Sequence, residues 1–223
     1  MTRHSPVKPW SCILFDLDGT ITDSAPGIIG RLSRTLEAMG RPIPAPTELL
    51  AFVGPPILDG FRDVADMNEE EAKEALGVYR ALAASEGPAD DSVVYPGMLG
   101  LIRALHAAAV PLALATSKGE SQAIRIIEHL GVTECFTVIC GSSEDETRSA
   151  KKDVVEETLR RLREQSIDLS NLVMVGDRSH DIEGAAHHGV PAIMVEWGYG
   201  SPAEASGAIA IVHSVDQLRE KLL

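Results

Sequence analysis

Five short apolar runs mark out the sequence: 12–17 (CILFDL), 112–116 (LALAT), 136–140 (FTVIC), 172–176 (LVMVG) and 192–195 (AIMV). Each is bounded by turn-forming or charged residues and reads as a buried strand. Helical patterns separate them. Within 119–131, Ile124, Ile127 and Leu130 recur on one face, and Gly131 is a natural stop. Within 152–165, Val154, Val155, Thr158, Leu159 and Leu162 do the same, and a further helix from Val215 to Leu223 closes the chain. Strands alternating with helices of this length predict an α/β fold, a doubly wound parallel sheet covered on both faces.

Residues 23–90 break that alternation. Helical patterns occupy about 25–39, 56–65 and 69–85, with no convincing strand among them. Pro- and Gly-rich breaks flank them, RPIPAP at 41–46, GPP at 54–56 and GPAD at 87–90, before Tyr95-Pro96-Gly97 marks the return of the pattern. We therefore expect two units. Residues 1–22 and 91–223 would form the sheet domain, and 23–90 a helical domain inserted into it.

Charge narrows the function. Twenty Lys and Arg against thirty-three Asp and Glu leave a net charge of −13, which opposes nonspecific nucleic-acid binding. An anionic substrate would need a local positive field, from a metal or a few placed lysines. No stretch approaches the ~20 apolar residues of a membrane span, and Met1 to Trp10 lacks the apolar region of a signal peptide. Cys12, Cys135 and Cys140 form no metal-ligand spacing. The expectation is a cytoplasmic protein with no membrane partner and no nucleic-acid partner.

In open parallel sheets, ligands bind beyond the carboxyl ends of the strands. The first strand ends at Asp16, followed by Leu17, Asp18, Gly19 and Thr20, and the second at Thr116, Ser117 and Lys118. Lys151 opens the helix after the third, and the fourth ends at Gly176 and Asp177, with Asp181 four residues on. Such a cluster invites a divalent metal. Residues two apart in an extended segment share a side, so Asp16 and Asp18 can face one ligand. Gly19 permits the sharp turn that presents backbone N–H groups to an anion.

FDLDGTITDS, ATSK, the Lys151 segment and GDRSHD together resemble the four ordered motifs of the haloacid dehalogenase superfamily. The insertion resembles the helical cap that one subgroup carries after the first motif. YPG and EWGYGSPAE resemble phosphoglycolate phosphatases and related nucleotidases of that subgroup. The resemblance implies a Rossmann-like core and a Mg²⁺-dependent phosphatase acting on a small phosphate monoester, with phosphoglycolate or a nucleoside monophosphate as first candidates.

It also implies roles. Asp16 would attack phosphorus and form an aspartyl-phosphate. Asp18 would protonate the leaving oxygen and then deprotonate the attacking water. Thr116 and Lys151 would complete the catalytic set. Backbone groups near Leu17 and Ser117 would bind the substrate, as would Gly54 in the Phe52–Pro56 stretch that matches a site-facing cap loop. Asp16, Asp177 and the backbone carbonyl of Asp18 would hold Mg²⁺, with Asp181 supporting the metal or Lys151.

Other readings of the same residues stay open. Thr116 could simply end a strand with its hydroxyl on backbone. Lys152 competes with Lys151, and Lys151 is preferred on register. Asp181 could cap the helix it opens. His187 and His188 read as structural or surface residues at a helix end. Arg31, Arg34 and Arg62 read as exposed helix residues and are not assigned to the site. Asp18 favours phosphate esters over dehalogenation or phosphonate cleavage. A β-phosphoglucomutase-like sugar phosphomutase and a non-catalytic phosphate-binding regulator are the alternatives.

Overall fold

The computed structural model describes residues 10–88 and 93–223. Cys12–Phe15 form β1 and Thr22–Asp23 form β2. Four helices follow: α1 (Ala25–Ala38), α2 (Pro46–Leu49), α3 (Ile57–Asp63) and α4 (Glu69–Glu86). β3 (Val93–Val94) then pairs antiparallel with β2. After α5 (Met98–Ala107) come β4 (Leu112–Gly119), α6 (Glu120–His129), β5 (Val138–Ser142) and α7 (Lys151–Glu164). β6 (Leu172–Gly176), α8 (Ser179–Ala186), β7 (Ala192–Val195), β8 (Ala210–Val212) and α9 (Val215–Leu222) complete the chain.

Six strands form one parallel sheet in the order β5-β4-β1-β6-β7-β8. This is the expected doubly wound α/β architecture. Successive side chains of β1 feed opposite layers. Ile13 and Phe15 pack with Leu101 and Leu105 of α5, Ile126 and Ile127 of α6 and Leu218 of α9. Cys12 and Leu14 pack with Val154, Val155 and Leu162 of α7 and Ile182 of α8. Each large aliphatic chain so buried contributes about 1.5–3 kcal/mol by leaving water, which is why these runs are apolar throughout.

Some boundaries differ from expectation. The run 136–140 yields a strand at Val138–Ser142, because Thr133–Cys135 form a tight helical turn and Val138 registers against Ala113. β4 continues past Thr116 to Gly119 through a register shift after Ala115, the kind of irregularity that re-aims side chains at a strand end. β8 was not expected from the pattern.

The helices between β2 and β3 share a core of their own, which includes Leu32, Leu36, Phe52, Phe61, Leu76 and Tyr79. α4 starts with a reciprocal cap: Asn68 Oδ1 accepts from the Glu70 and Glu71 amides, and Glu71 accepts from the Asn68 amide. Arg31 is fully buried, contrary to expectation. It pairs with Glu86 at 3.0 Å, donates to the Tyr79 hydroxyl at 3.1 Å and lies over the Tyr79 ring. Arg34 also pairs with Glu86, and Arg62 with Asp59 and Glu69. The boundary expected at 90/91 falls outside the described residues, as does the segment before Trp10. Among the described residues, no helix is long and apolar enough to cross a membrane.

Candidate active site

β1 lies between β4 and β6, so their carboxyl ends meet. Asp16 follows β1 and its amide donates to Val175 of β6 at 2.9 Å. One carboxylate oxygen from each of Asp16, Asp177 and Asp181 lies within 4.8 Å of the others, and all three residues are buried. Lys151, the first residue of α7, sends Nζ to Asp16 Oδ1 at 2.6 Å, Asp181 Oδ1 at 2.8 Å and the Ala115 carbonyl at 3.0 Å. Lys152 is exposed and reaches none of them; its carbonyl lies 2.8 Å from His188 Nε2. Besides pairing with Lys151, Asp181 accepts at Oδ2 from the Asp177 and Arg178 amides at the start of α8.

One ammonium faces three carboxylates, and the imbalance shows in the proton affinities of Asp16 and Asp177. Burial pushes the Asp16 carboxyl up to about 7, with Lys151 pulling the other way. Burial, then the charges of Asp181 and Asp16, push Asp177 up as well. Burial alone would lower Lys151, but Asp16 and Asp181 outweigh it and hold the ammonium charged. Asp177 Oδ2 accepts from the Tyr199 amide at 2.6 Å, while its buried Oδ1 has no hydrogen-bond partner among the described residues. An orphaned oxygen in an all-oxygen, net-negative cluster fits a hard divalent cation. The backbone around Asp177 allows no bulk. A Cβ on Gly19, whose φ is +86°, would lie 2.2 Å from Asp177 Oδ2, and one on Gly198 would lie 2.3 Å from it.

Asp18 points elsewhere. Its Oδ1 accepts from Ser24 Oγ at 2.6 Å, and Lys118 Nζ spans Oδ1 and Oδ2 at 3.2 and 3.1 Å. Thr116 is buried and its Oγ1 accepts from the Lys118 amide at 3.2 Å. Ser117 Oγ is buried with no partner among the described residues. Leu17 puts its side chain into the sheet core, so only its backbone can face a ligand. A cleft of about 50 Å³ is lined by Asp18, Ser117, Lys118 and Gln122 below and by Phe52, Gly54, Pro55, Pro56, Leu76, Tyr79 and Arg80 above. Two arginines tie these sides together. Arg178 donates to the Val53 carbonyl at 2.6 Å and pairs with Glu204, while Arg80 donates to the Glu144 carbonyl and pairs with Glu146.

All the candidate residues except Gly54 and Leu17 thus bring polar side chains to one sheet edge, and Gly54 lines the cleft above it. Sequence reasoning gave no role to Lys118, Ser24, Arg178 or Tyr199. The first three stand inside or beside the quoted motifs, ATSK, FDLDGTITDS and GDRSHD, and Tyr199 lies in EWGYGSPAE.

Residues 13–195 match a family model described as haloacid dehalogenase-like hydrolase. The chain is 40% identical over 222 residues to a Mycobacterium tuberculosis protein named tyrosine-protein kinase PtkA, covering 98% of this chain and 74% of that one. It is 35% identical over 192 residues to a Pseudomonas aeruginosa 5'-nucleotidase, covering 86% and 85%. A Chromobacterium violaceum phosphoglycolate phosphatase is 33% identical over 220 residues, covering 95% and 96%. A crystal structure of a predicted phosphatase from Clostridium acetobutylicum superposes with a TM-score of 0.88 at 35% identity, covering 95% of this chain and 97% of that one.

Proposed function

This chain belongs to the haloacid dehalogenase-like hydrolases, and from that membership we propose that it is a Mg²⁺-dependent phosphatase of small phosphate monoesters. The observation that carries the reading is the convergence of Asp16, Lys151, Asp177 and Asp181 beside Asp18 at the carboxyl ends of β1, β4 and β6. In this reading Asp16 attacks phosphorus, the bond to the leaving oxygen breaks, and Asp18 supplies that oxygen with a proton. Asp18 then takes a proton from the water that cleaves the aspartyl-phosphate. Lys151 neutralises the nucleophile and the transferring group, and the Ser117 and Thr116 hydroxyls bind phosphoryl oxygens. Asp16, Asp177 and the Asp18 carbonyl would hold Mg²⁺, which supplies charge neutralisation at the phosphoryl group when bound.

We further propose that residues 1–22 and 91–223 act as the core and 23–90 as its cap. The cleft over Asp18 has room for a few waters. A wider opening of about 470 Å³, between Pro55, Pro56 and Asp59 and the Ser117 and Lys151 side, leads toward the same residues. Closure of the cap over a bound ester would exclude bulk water. Phosphoglycolate and nucleoside monophosphates lead as substrates, supported by the relatives of those names. The kinase name of the 40% relative adds a different acceptor to test, a tyrosine hydroxyl in place of water.

Phosphate release with Mg²⁺ from phosphoglycolate, nucleoside monophosphates, hexose phosphates and p-nitrophenyl phosphate tests the reading, with Asp16→Asn as blank. Release above the blank supports it. Phosphotyrosine formed from ATP without free phosphate would replace it with a transferase, conversion only in the presence of a sugar bisphosphate with a mutase, and no chemistry at all with a regulator. The metal has its own readout. Mg²⁺ at about 100 times its Kd stabilises by ~2.7 kcal/mol, which raises the melting temperature by roughly 5–10 °C for a chain of this size. EDTA should reverse the shift. An unchanged melting temperature across millimolar Mg²⁺ would remove the metal from this site.

A further inference from the structure

Ser24 stands at the N-cap of α1, where serine ordinarily accepts from a backbone amide of the first turn. Here it makes no such bond. Its Oγ donates instead to Asp18 Oδ1 at 2.6 Å. The backbone here is held instead by a residue from far along the chain. The Tyr199 hydroxyl accepts from the Ser24 amide at 2.7 Å and the Ala25 amide at 2.9 Å, and donates to Asp23 Oδ1 at 2.9 Å. Tyr199 is held in turn by its own amide on Asp177 Oδ2 and by packing against the helical core.

We propose that Tyr199 is a positioning residue for the acid–base carboxylate. By accepting from the Ser24 and Ala25 amides, it holds the backbone from which the Ser24 hydroxyl reaches Asp18. Lys118 bridges both oxygens of Asp18 nearly equally and so does not distinguish them, whereas Ser24 engages Oδ1 and leaves Oδ2 to carry the proton. When the Asp16–phosphorus bond forms and the ester bond breaks, that proton passes from Oδ2 to the departing oxygen. The same tyrosine touches Asp177 and the first residues of α1, so the carboxylate cluster, the entry to the helical segment and the orientation of Asp18 are linked through one side chain.

The inference rests on the acid–base role proposed for Asp18, and the test separates the two. Phenyl phosphate and p-nitrophenyl phosphate present nearly the same shape, but phenolate departs far less readily and needs the proton more. General acid catalysis contributes about 10²–10⁴-fold. Asp18→Asn is therefore expected to lose far more kcat/KM on phenyl phosphate than on p-nitrophenyl phosphate. Tyr199→Phe and Ser24→Ala should show the same selective loss in milder form, roughly 10–100-fold on phenyl phosphate against less than ~3-fold on p-nitrophenyl phosphate. Ser24→Thr, which keeps the hydroxyl, should recover most of it. Equal losses on the two esters, or none, in Tyr199→Phe or Ser24→Ala would overturn the positioning role while a selective Asp18→Asn loss left the acid–base role standing. Equal losses in Asp18→Asn would overturn the acid–base role and the inference with it. Should Tyr199→Phe fail to fold, Ser24→Ala retains the Tyr199 cap and decides the matter by the same comparison.

Discussion

Replacing Asp16 with Asn is expected to lower turnover by on the order of 10⁴-fold or more, because an amide is a far poorer nucleophile than a carboxylate. The fold should survive, since the amide oxygen can still accept from Lys151 Nζ and Lys151 keeps its pair with Asp181. Stability should move the opposite way from activity in the metal-free protein. Burial raises the Asp16 carboxyl from 3.8 to about 7, so between those values the folded state holds a proton that the unfolded chain has released. Stability then falls as pH rises through that window. Asn carries no such charge. In EDTA, the variant should melt above the wild type at pH 8, with the difference shrinking toward pH 5. Phosphate release and thermal melts at the two pH values check both halves. Turnover within tenfold of the wild type would dismiss Asp16 as nucleophile, and a melting difference that ignores pH would dismiss the electrostatic account of its burial.

Much of this site was legible because its residues sit where local patterns end. Asp16, Thr116 and Asp177 each follow an apolar run whose burial on both faces is dictated by the parallel sheet, so the register of the strand fixes the place of the residue after it. Lys151 opens a helix whose apolar face is plain in Val154, Val155, Thr158 and Leu162. What escaped has no such period. β8 is three residues long, with Ile211 exposed at the sheet edge, too short to stand out from a loop. Arg31 reads as a surface residue because nothing local announces that the Tyr79 ring and Glu86 will enclose it 48 and 55 positions later. Ser24 was visible as a helix-start residue type, but its hydroxyl goes to Asp18, and Tyr199, 175 residues away, holds its amide. Motif strings carry first contacts with a ligand. The partners that orient those contacts are set by tertiary packing, and sequence spacing does not encode them.

Lys151→Met should be the most damaging substitution to the molecule as a whole, because it removes the one ammonium that Asp16 and Asp181 share. Breaking a buried pair by deleting one partner typically costs about 3–5 kcal/mol, here roughly 10 °C or more in melting temperature. The cause is electrostatic, so the deficit should depend on pH. With the ammonium gone, the carboxyl of Asp16 rises further above its unfolded value, and protonation relieves the strain. The melting deficit is therefore largest at pH 8 and narrows toward pH 5. Mg²⁺ should restore part of it by supplying positive charge to the same carboxylates. Turnover should stay down by about 10³-fold even with Mg²⁺, because a cation held by Asp16 and Asp177 does not replace a donor 2.6 Å from the nucleophile. A deficit that is constant with pH and untouched by Mg²⁺ would mean that Lys151 serves packing. Recovery of stability without recovery of turnover would separate the two tasks proposed for it, neutralising the buried carboxylates at rest and stabilising charge on the phosphoryl group in flight.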